Sequence, residues 1–331
     1  MSFNVKGLRA SGAIAALGAL LGTPAACAAD TAADTIKMNM TGFIPEGVEY
    51  DTKNNRFLVG SLTQGTVFSV AKDGTLTPFI QDPDLKSSVG IEVDEERNRL
   101  LVPNSDSSVF GGQGVGQAKL GIYDLTSGKR LAMVDLAAVG PKDARHFAND
   151  VTVGSDGSAY VTDTMARVIY KVDPRNNATI FLPNTFASIP QFTLNGIVYH
   201  QSGYLLVADS FAGDIYKVPV NAPASFTKVK LPEQPAGADG LVWNAHDSCL
   251  IVVRNDKSQQ VVAFRSADNW VTATLDGRGK FGAQGTTAAM GSDGVYVVQP
   301  FFADPKAQPV IEHVHLSKWC GNPGTPVALP C

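Results

Sequence analysis

Four residues with oxygen-bearing side chains stand directly before short apolar runs rich in Val, Ile and Leu: Glu46, Asn149, Asn195 and Asp239. Three of them precede a glycine, and the fourth precedes an aspartate. Two carboxylates and two amides, without a thiol, form the donor set that a hard divalent cation prefers, and the two negative charges would neutralise it. If the fold brings the four together, the sequence predicts a metal site where they meet.

Six copies of one unit would supply the elements that position these donors. Each copy has a strand, a polar turn, a second apolar strand and then a third strand. The copies start at residues 47, 90, 150, 196, 240 and 287, close to the roughly 40 to 50 residues of a propeller blade. Almost no stretch has the 3.6-residue period of a helix. The sequence therefore predicts an all-β, six-bladed β-propeller, with residues 32 to 44 closing the last blade.

The register of the repeat places one residue of every blade at the mouth of the central channel. This residue, which immediately precedes the first strand, is here called the mouth position. In chain order the six mouth positions hold Glu46, Val89, Asn149, Asn195, Asp239 and Thr286. Ordinary turn chemistry explains any one donor, but it gives no reason for a donor at the same position in four blades. We therefore expect a central metal site.

These motifs resemble those of the SMP-30/gluconolactonase/LRE-like family of calcium-dependent six-bladed propellers, whose relatives include paraoxonases and diisopropyl-fluorophosphatase. The matching segments span nearly all of the chain after residue 29: Pro45-Glu46-Gly47, Asn149-Asp150, Asn195-Gly196, Asp239-Gly240 and Thr286-Thr287. The resemblance implies Ca²⁺ as the ion, with Zn²⁺, Mn²⁺ or Mg²⁺ as alternatives. It also implies that Glu46, Asn195 and Asp239 are ligands, and that Asn149 is a fourth ligand or a substrate contact. The chain departs from the family at Val48-Glu49-Tyr50, where a Trp is common, and in the spacing of Arg145 from Asn149.

A divalent ion at the mouth predicts hydrolysis of a small lactone or ester, because it polarises a carbonyl and activates water. Asp239 is the first candidate for the base that takes the proton from water, and His146 is the second. Candidate substrate contacts are Asn149, Arg145 and residues just past the second strands: Asn104, Asp163, Asp209 and Arg254. Hydrogen bonding to neighbouring loops is the alternative role for each residue at the strand ends.

Two other functions stay open at this point. A ligand-binding propeller with a structural calcium would need the same donors, and the sequence does not separate it from a lactonase. A strictosidine-synthase-like lyase works without a metal, so it leaves the four convergent donors without a purpose.

Composition excludes several broad classes. The chain has 331 residues, 44% of them hydrophobic, and 31 acidic against 27 basic residues, for a formal charge of −4. No basic tract marks a nucleic-acid binder, and no window of the chain is apolar for long enough to span a membrane. We expect a small-molecule partner, and a monomer or small homo-oligomer.

The first 29 residues have the pattern of a cleaved signal peptide. Lys6 and Arg9 form the charged start, a short apolar stretch follows, and Ala26-Cys27-Ala28 fits the small-x-small cleavage rule. Lipid attachment through Cys27 is the alternative. The prediction is therefore an exported protein, periplasmic or extracellular, with residues 30–331 forming a single propeller domain.

Export would place the cysteines in an oxidising compartment. There Cys320 and Cys331 could form a disulfide that pins the tail. Cys249 lies in an apolar run and is predicted to be a buried core thiol.

Overall fold

The computed structural model describes residues 35–183, 193–304, 306–319 and 326–328. These residues form a six-bladed β-propeller, as the repeat predicts. Blade one has strands Pro45–Asp51, Arg56–Ser61, Val67–Val70 and Leu76–Ile80; blade two, Glu92–Asp94, Arg99–Ser105, Lys119–Asp124 and Arg130–Asp135; blade three, His146–Val153, Ala159–Asp163, Val168–Val172 and Ala178–Leu182. Blade four has Leu194–His200, Tyr204–Asp209, Asp214–Pro219 and Thr227–Lys228; blade five, Ala238–Asn244, Cys249–Arg254, Gln260–Arg265 and Thr274–Lys280; blade six, Ala288–Met290, Val295–Gln299 and Val310–Val314.

The ring closes through residues that precede blade one. Strand Thr35–Lys37 pairs antiparallel with Val310–Val314 and so becomes the outer strand of blade six. This confirms the prediction that residues 32 to 44 close the last blade. The described residues also include shorter elements: strands Ser87–Ser88, Gly116–Gln117, Ser317–Trp319 and Pro326–Ala328, and 3₁₀ helices Ser107–Gly111 and Pro223–Ser225.

The core is divided into apolar clusters, one between each pair of neighbouring blades. Second strands such as Tyr204–Asp209 are buried along their whole length, because both faces of the strand pack against another blade. The cluster that contains Phe57, Val59, Tyr296 and Val298 joins blade six to blade one. Five further clusters join the other neighbours around the ring. Each blade therefore holds its neighbours in place by packing, and the first strands are fixed around the channel.

The sequence predicts that the mouth donors precede their strands. In the structure they lie inside the strands instead. In blades one, three, four and five the first strand starts one to three residues before the donor, and its pairing with the second strand shifts register there. In blade one, for example, Pro45 pairs with Ser61 but Val48 pairs with Val59, so one extra residue is inserted. Such a bulge re-aims a side chain that regular pairing would point into a sheet face.

Several expectations concern residues outside the described part of the chain. They are the signal peptide with Cys27, and the Cys320–Cys331 disulfide, which therefore stay predictions. Cys249 is described, and it is fully buried as predicted. Within the described residues, no helix has the length and hydropathy needed to cross a bilayer.

Candidate metal centre

The four predicted donors line one cavity of about 300 Å³ at the centre of the ring. Glu46, Asn149 and Asp239 are each less than 10% exposed, and Asn195 is partly buried. The cavity continues inward past three further carboxylates, on Glu49, Glu92 and Asp150. No Lys, Arg or His side chain is among the described residues that line it. Five acidic groups therefore share one cavity without a cationic partner in its described walls.

Backbone contacts between blades hold the mouth positions close together. Gly47 N donates to Val89 O at 2.9 Å, and Gly90 N donates to Asn149 O at 2.8 Å. A Cβ atom added at Gly47 would lie 2.4 Å from Val89 O, well inside contact distance. The glycine that follows the donor is thus required by the close approach of the next blade.

The ring is completed on the other side by blades five and six. Gly240 N donates to Thr286 O at 2.9 Å, and the Thr286 hydroxyl donates to Glu46 O at 2.8 Å. The Thr286 side chain is therefore used to connect blade six to blade one.

Asn149 is oriented so that its amide oxygen is left for the cavity. Its Nδ2 donates to Thr164 Oγ1 at 2.9 Å, and that hydroxyl donates to Leu194 O at 2.7 Å. Because the amide nitrogen is held by the wall, Asn149 presents its oxygen, which is the atom that a cation binds.

Asp239 is held by amide groups. Asn255 Nδ2 donates to Asp239 Oδ2 at 2.5 Å, and Asn195 also donates to this carboxylate. Gln284 Nε2 donates in turn to Asn255 Oδ1, which fixes the direction of the Asn255 amide. Burial raises the pKa of Asp239 to about 7, against the opposing effect of these two hydrogen bonds.

Of the two carboxylate donors, Glu46 has fewer hydrogen-bond donors around its carboxylate than Asp239 has. Burial raises its pKa well above the ordinary value, and the negative charges of Asp239 and Asp150 raise it further. No hydrogen-bond donor among the described residues counters this rise. An anionic Glu46 beside Asp239 would be stabilised by a cation.

The inner carboxylates are also destabilised as anions. Burial raises the pKa of Glu49 to about 8, a backbone bond from Tyr50 opposes this, and Asp150 adds to it. The pKa of Glu92 is raised by burial, then by Glu49 and Asp150. Asp150 accepts Val151 N at 2.9 Å and Ile197 N at 3.1 Å, and burial still raises its pKa to about 7.

The donor set fits a hard divalent cation. Two buried carboxylates supply charge, and two amides supply neutral oxygen, without a soft ligand. No group of three or more His, Cys, Asp or Glu side chains arranged to hold an ion occurs among the described residues. A bound ion would therefore depend on the amide oxygens of Asn149 and Asn195 as well as on Glu46 and Asp239.

The other candidate residues do not line this cavity. His146 is buried at the start of the first strand of blade three, with its Nδ1 2.8 Å from Asp163 Oδ2, and Tyr170 OH lies 3.3 Å from the same oxygen. Arg145 Nη2 donates to Val109 O, in the loop of blade two. Whether these residues contact a substrate stays a prediction.

The residues predicted at the ends of second strands hold neighbouring backbone. Asn104 accepts Lys86 N at 2.9 Å and donates to Asp84 O at 2.8 Å. Asp209 accepts Thr193 N and Phe211 N at 3.0 and 3.1 Å. Arg254 Nη2 forms an ion pair with Asp256 at 2.7 Å. Their contacts match the loop-bonding alternative, and their role toward a substrate stays a prediction.

Comparison with known proteins gives the fold. No protein-family model matches the chain, and no curated protein sequence matches it significantly. A candidate gluconolactonase of known structure is 16% identical with a TM-score of 0.59, covering 88% of this chain and 95% of its own. The calcium-binding protein regucalcin from Agrobacterium tumefaciens is 15% identical with a TM-score of 0.59, covering 84% and 92%. Virginiamycin B lyase from Staphylococcus aureus is 12% identical with a TM-score of 0.55, covering 84% and 98%. Identities this low show that the propeller fold is shared and leave the activity to the site.

Proposed function

We propose that this protein is a divalent-metal-dependent hydrolase of a small lactone or ester. The observation that carries the proposal is the meeting of Glu46, Asn149, Asn195 and Asp239 in one cavity without a cationic side chain in its described walls. A candidate gluconolactonase and a calcium-binding regucalcin share the fold, so lactone hydrolysis and Ca²⁺ are the activity and the ion that we propose for this site.

In this proposal the four donors would hold the ion. When bound, a divalent cation supplies a Lewis acid that polarises a carbonyl and lowers the pKa of nearby water. Asp239 is the residue that we propose to take a proton, since one carboxylate oxygen is held by Asn255 while the group still faces the cavity. Asn149 presents its amide oxygen to the same space.

His146 is less suited to this role in its present arrangement. Its Nδ1 is held by Asp163, and its ring is 6% exposed and does not line the cavity. We therefore rank it second as a proton acceptor.

The test combines metal analysis with a lactone panel. Purified protein would be assayed with aldonolactones, alkyl lactones and aryl esters, with and without chelator, as wild type and as Asp239→Ala. We expect chelator-sensitive hydrolysis that Asp239→Ala lowers at least 100-fold. Asp73→Ala, in an exposed turn between the third and fourth strands of blade one, is the control and should keep the activity.

Three results would reject the proposal. Folded protein that takes up no divalent ion would reject the metal centre. Metal-loaded protein that hydrolyses no member of the panel would favour the ligand-binding propeller. Hydrolysis that persists in chelator would show that the reaction does not depend on a metal.

A further inference from the structure

The sector of the mouth that belongs to blade two is apolar. Its mouth position holds Val89, where four of the other five blades have a donor. Val89 is fully buried in a cluster with Val109 and Phe147, against which Leu62 and Met165 pack. One side of the candidate site therefore differs in chemistry from the rest of the ring.

This apolar sector adjoins the proposed ligands directly. Val89 O accepts Gly47 N, the residue after Glu46, and Gly90 N donates to Asn149 O. Val89 thus sits between the mouth positions of Glu46 and Asn149, one interblade hydrogen bond from each. A molecule held at those two donors would have the apolar sector beside it.

Phe110 extends this sector to the surface. Its ring is 59% exposed, and it lies edge-on to buried Phe147 with centroids 4.6 Å apart. Burying an aromatic ring is worth several times what burying one methylene gives, so a ligand that covered the Phe110 ring would gain binding free energy from it.

The loop that carries Phe110 is anchored. Phe110 belongs to the 3₁₀ helix Ser107–Gly111, whose cap residue Asp106 accepts Ser108 N at 3.1 Å. Lys86 pairs with Asp106 at 2.9 Å, and Arg145 donates to Val109 O. An exposed ring on a fixed loop is preorganised to contact a ligand.

Among the described residues, the most exposed phenylalanines lie on this face. Phe110, Phe211 and Phe302 are the described phenylalanines that are at least 38% exposed. All three lie in loops that follow second strands, which end beside the mouth positions in the strand pairing. They come from blades two, four and six, so apolar contact is offered from alternate sides of the mouth.

We propose that the substrate is an alkyl- or aryl-substituted lactone or ester whose apolar group lies on the blade-two sector, against Phe110. This rests on the proposed function and adds the class of substrate. Val89 and Phe147 are buried beneath Phe110, so Phe110 is the one of the three that a ligand can touch. A polyhydroxylated sugar lactone would leave a hydroxyl group against that ring without a partner, which costs free energy.

The test uses a homologous series in which only the apolar group changes. γ-Butyrolactone, γ-hexalactone and γ-decalactone would be compared with glucono-δ-lactone for wild type, Phe110→Ser and Val271→Ser. We expect kcat/KM to rise about twofold for each added methylene, half of what complete burial of a methylene gives. Phe110→Ser should lower the decalactone-to-butyrolactone ratio about fivefold.

Val271→Ser is the matched control. Val271 is 57% exposed, which is similar to the 59% of Phe110. It follows a third strand, however, and so lies at the end of its blade opposite the mouth. The control should leave the decalactone-to-butyrolactone ratio unchanged. A ratio lowered equally by both variants would overturn the proposal, because it would reflect a general loss of surface hydrophobicity.

A binding measurement separates this inference from the proposed function. The γ-lactams that correspond to butyrolactone and decalactone are not readily hydrolysed, and their binding can be followed by calorimetry. Tighter binding of the hexyl lactam that depends on Phe110 would support the apolar site even if no lactone were hydrolysed. Hydrolysis with a preference for glucono-δ-lactone, and equal binding of the two lactams, would overturn the inference while leaving the hydrolase standing.

Discussion

Buried carboxylates occur in two places that use them differently. At the ends of second strands, Asp163 accepts Phe147 N at 2.8 Å, Ala166 N at 3.0 Å and His146 Nδ1 at 2.8 Å. In the ring, Glu46 has no described donor that lowers its pKa, and the charge of Asp239 raises it. Asp163 and Glu46 both lie in strands rich in apolar residues, and both are almost fully buried. The difference is that Asp163 has its acceptors filled by its own blade, whereas Glu46 in the ring keeps its acceptors for a ligand.

The same arrangement recurs in the next blade, which identifies it as part of the fold. Asp209 accepts Thr193 N as Asp163 accepts Phe147 N, with the same separation of 16 residues. A carboxylate that pins the start of the first strand in two successive blades is explained by architecture. Asp209 Oδ2 is nevertheless buried without a hydrogen-bond partner among the described residues, so neither burial nor one open acceptor by itself marks a functional carboxylate.

The largest expected effect is on stability, and it comes from removing the Asp163 carboxylate at the end of a second strand. Asp163→Ala would leave His146 and the Phe147 and Ala166 amides buried without acceptors, so we expect a loss of about 3 to 5 kcal/mol in the free energy of unfolding. Asp239→Ala should cost the metal-free protein less than about 1 kcal/mol, because it also removes a repulsion with Glu46. Urea unfolding in chelator measures both, and the opposite order would contradict the comparison.

The next effect concerns pH and the inner carboxylates. Burial raises the pKa of Glu49 to about 8 in the folded protein, so its contribution to stability is fully present below the unfolded pKa and is lost progressively as pH rises to about 8. We expect the stability of metal-free protein to fall between pH 5 and pH 8, by up to about 1.4 kcal/mol per pH unit for this one carboxyl group, and then to level off. Glu49→Gln should flatten this dependence.

Glu96→Gln is the control for the pH experiment. The Glu96 side chain is 76% exposed, so its substitution should leave the pH dependence as in wild type. A stability that rises between pH 5 and pH 9 in metal-free protein would show that the inner carboxylates are not held as proposed.

A smaller effect tests the residues behind the ring. Asn255→Ala should weaken cation binding about tenfold, because the Asp239 carboxylate loses the donor that orients it. Gln284→Ala should weaken binding about threefold, since it acts only through Asn255. Asn177→Ala, in an exposed turn of blade three, should have no effect on affinity measured by calorimetry. Equal affinities for all three variants would show that Asp239 needs no such support.

Most of the fold and the ring could be predicted because both follow from a repeat. The second strands and the four donors recur at fixed positions within the repeat, and the number of repeats gives the number of blades. Glu49 and Glu92 occupy the third position of Gly47-Val-Glu-Tyr-Asp and Gly90-Ile-Glu-Val-Asp. The repeat marks these segments as strand starts, but it does not show that the third residue lines the channel.

Other features depend on contacts that no spacing encodes. Asn255 and Gln284 are far apart in the sequence and meet only because blades five and six are neighbours in the ring. The pairing of His146 with Asp163 likewise joins a first strand to the end of a second strand. The bulges were missed because one inserted residue leaves the hydrophobic alternation on either side intact.

The most direct test of the account is the cation stoichiometry of the purified protein. Protein stripped with chelator would be titrated with Ca²⁺ by calorimetry, as wild type and as the double variant Glu46→Gln/Asp239→Asn, with folding checked by circular dichroism. We predict saturable binding at the ring in wild type and a loss of at least 100-fold in affinity in the folded double variant. Wild-type affinity in the double variant, or a folded wild type that binds no divalent cation, would contradict the metal centre.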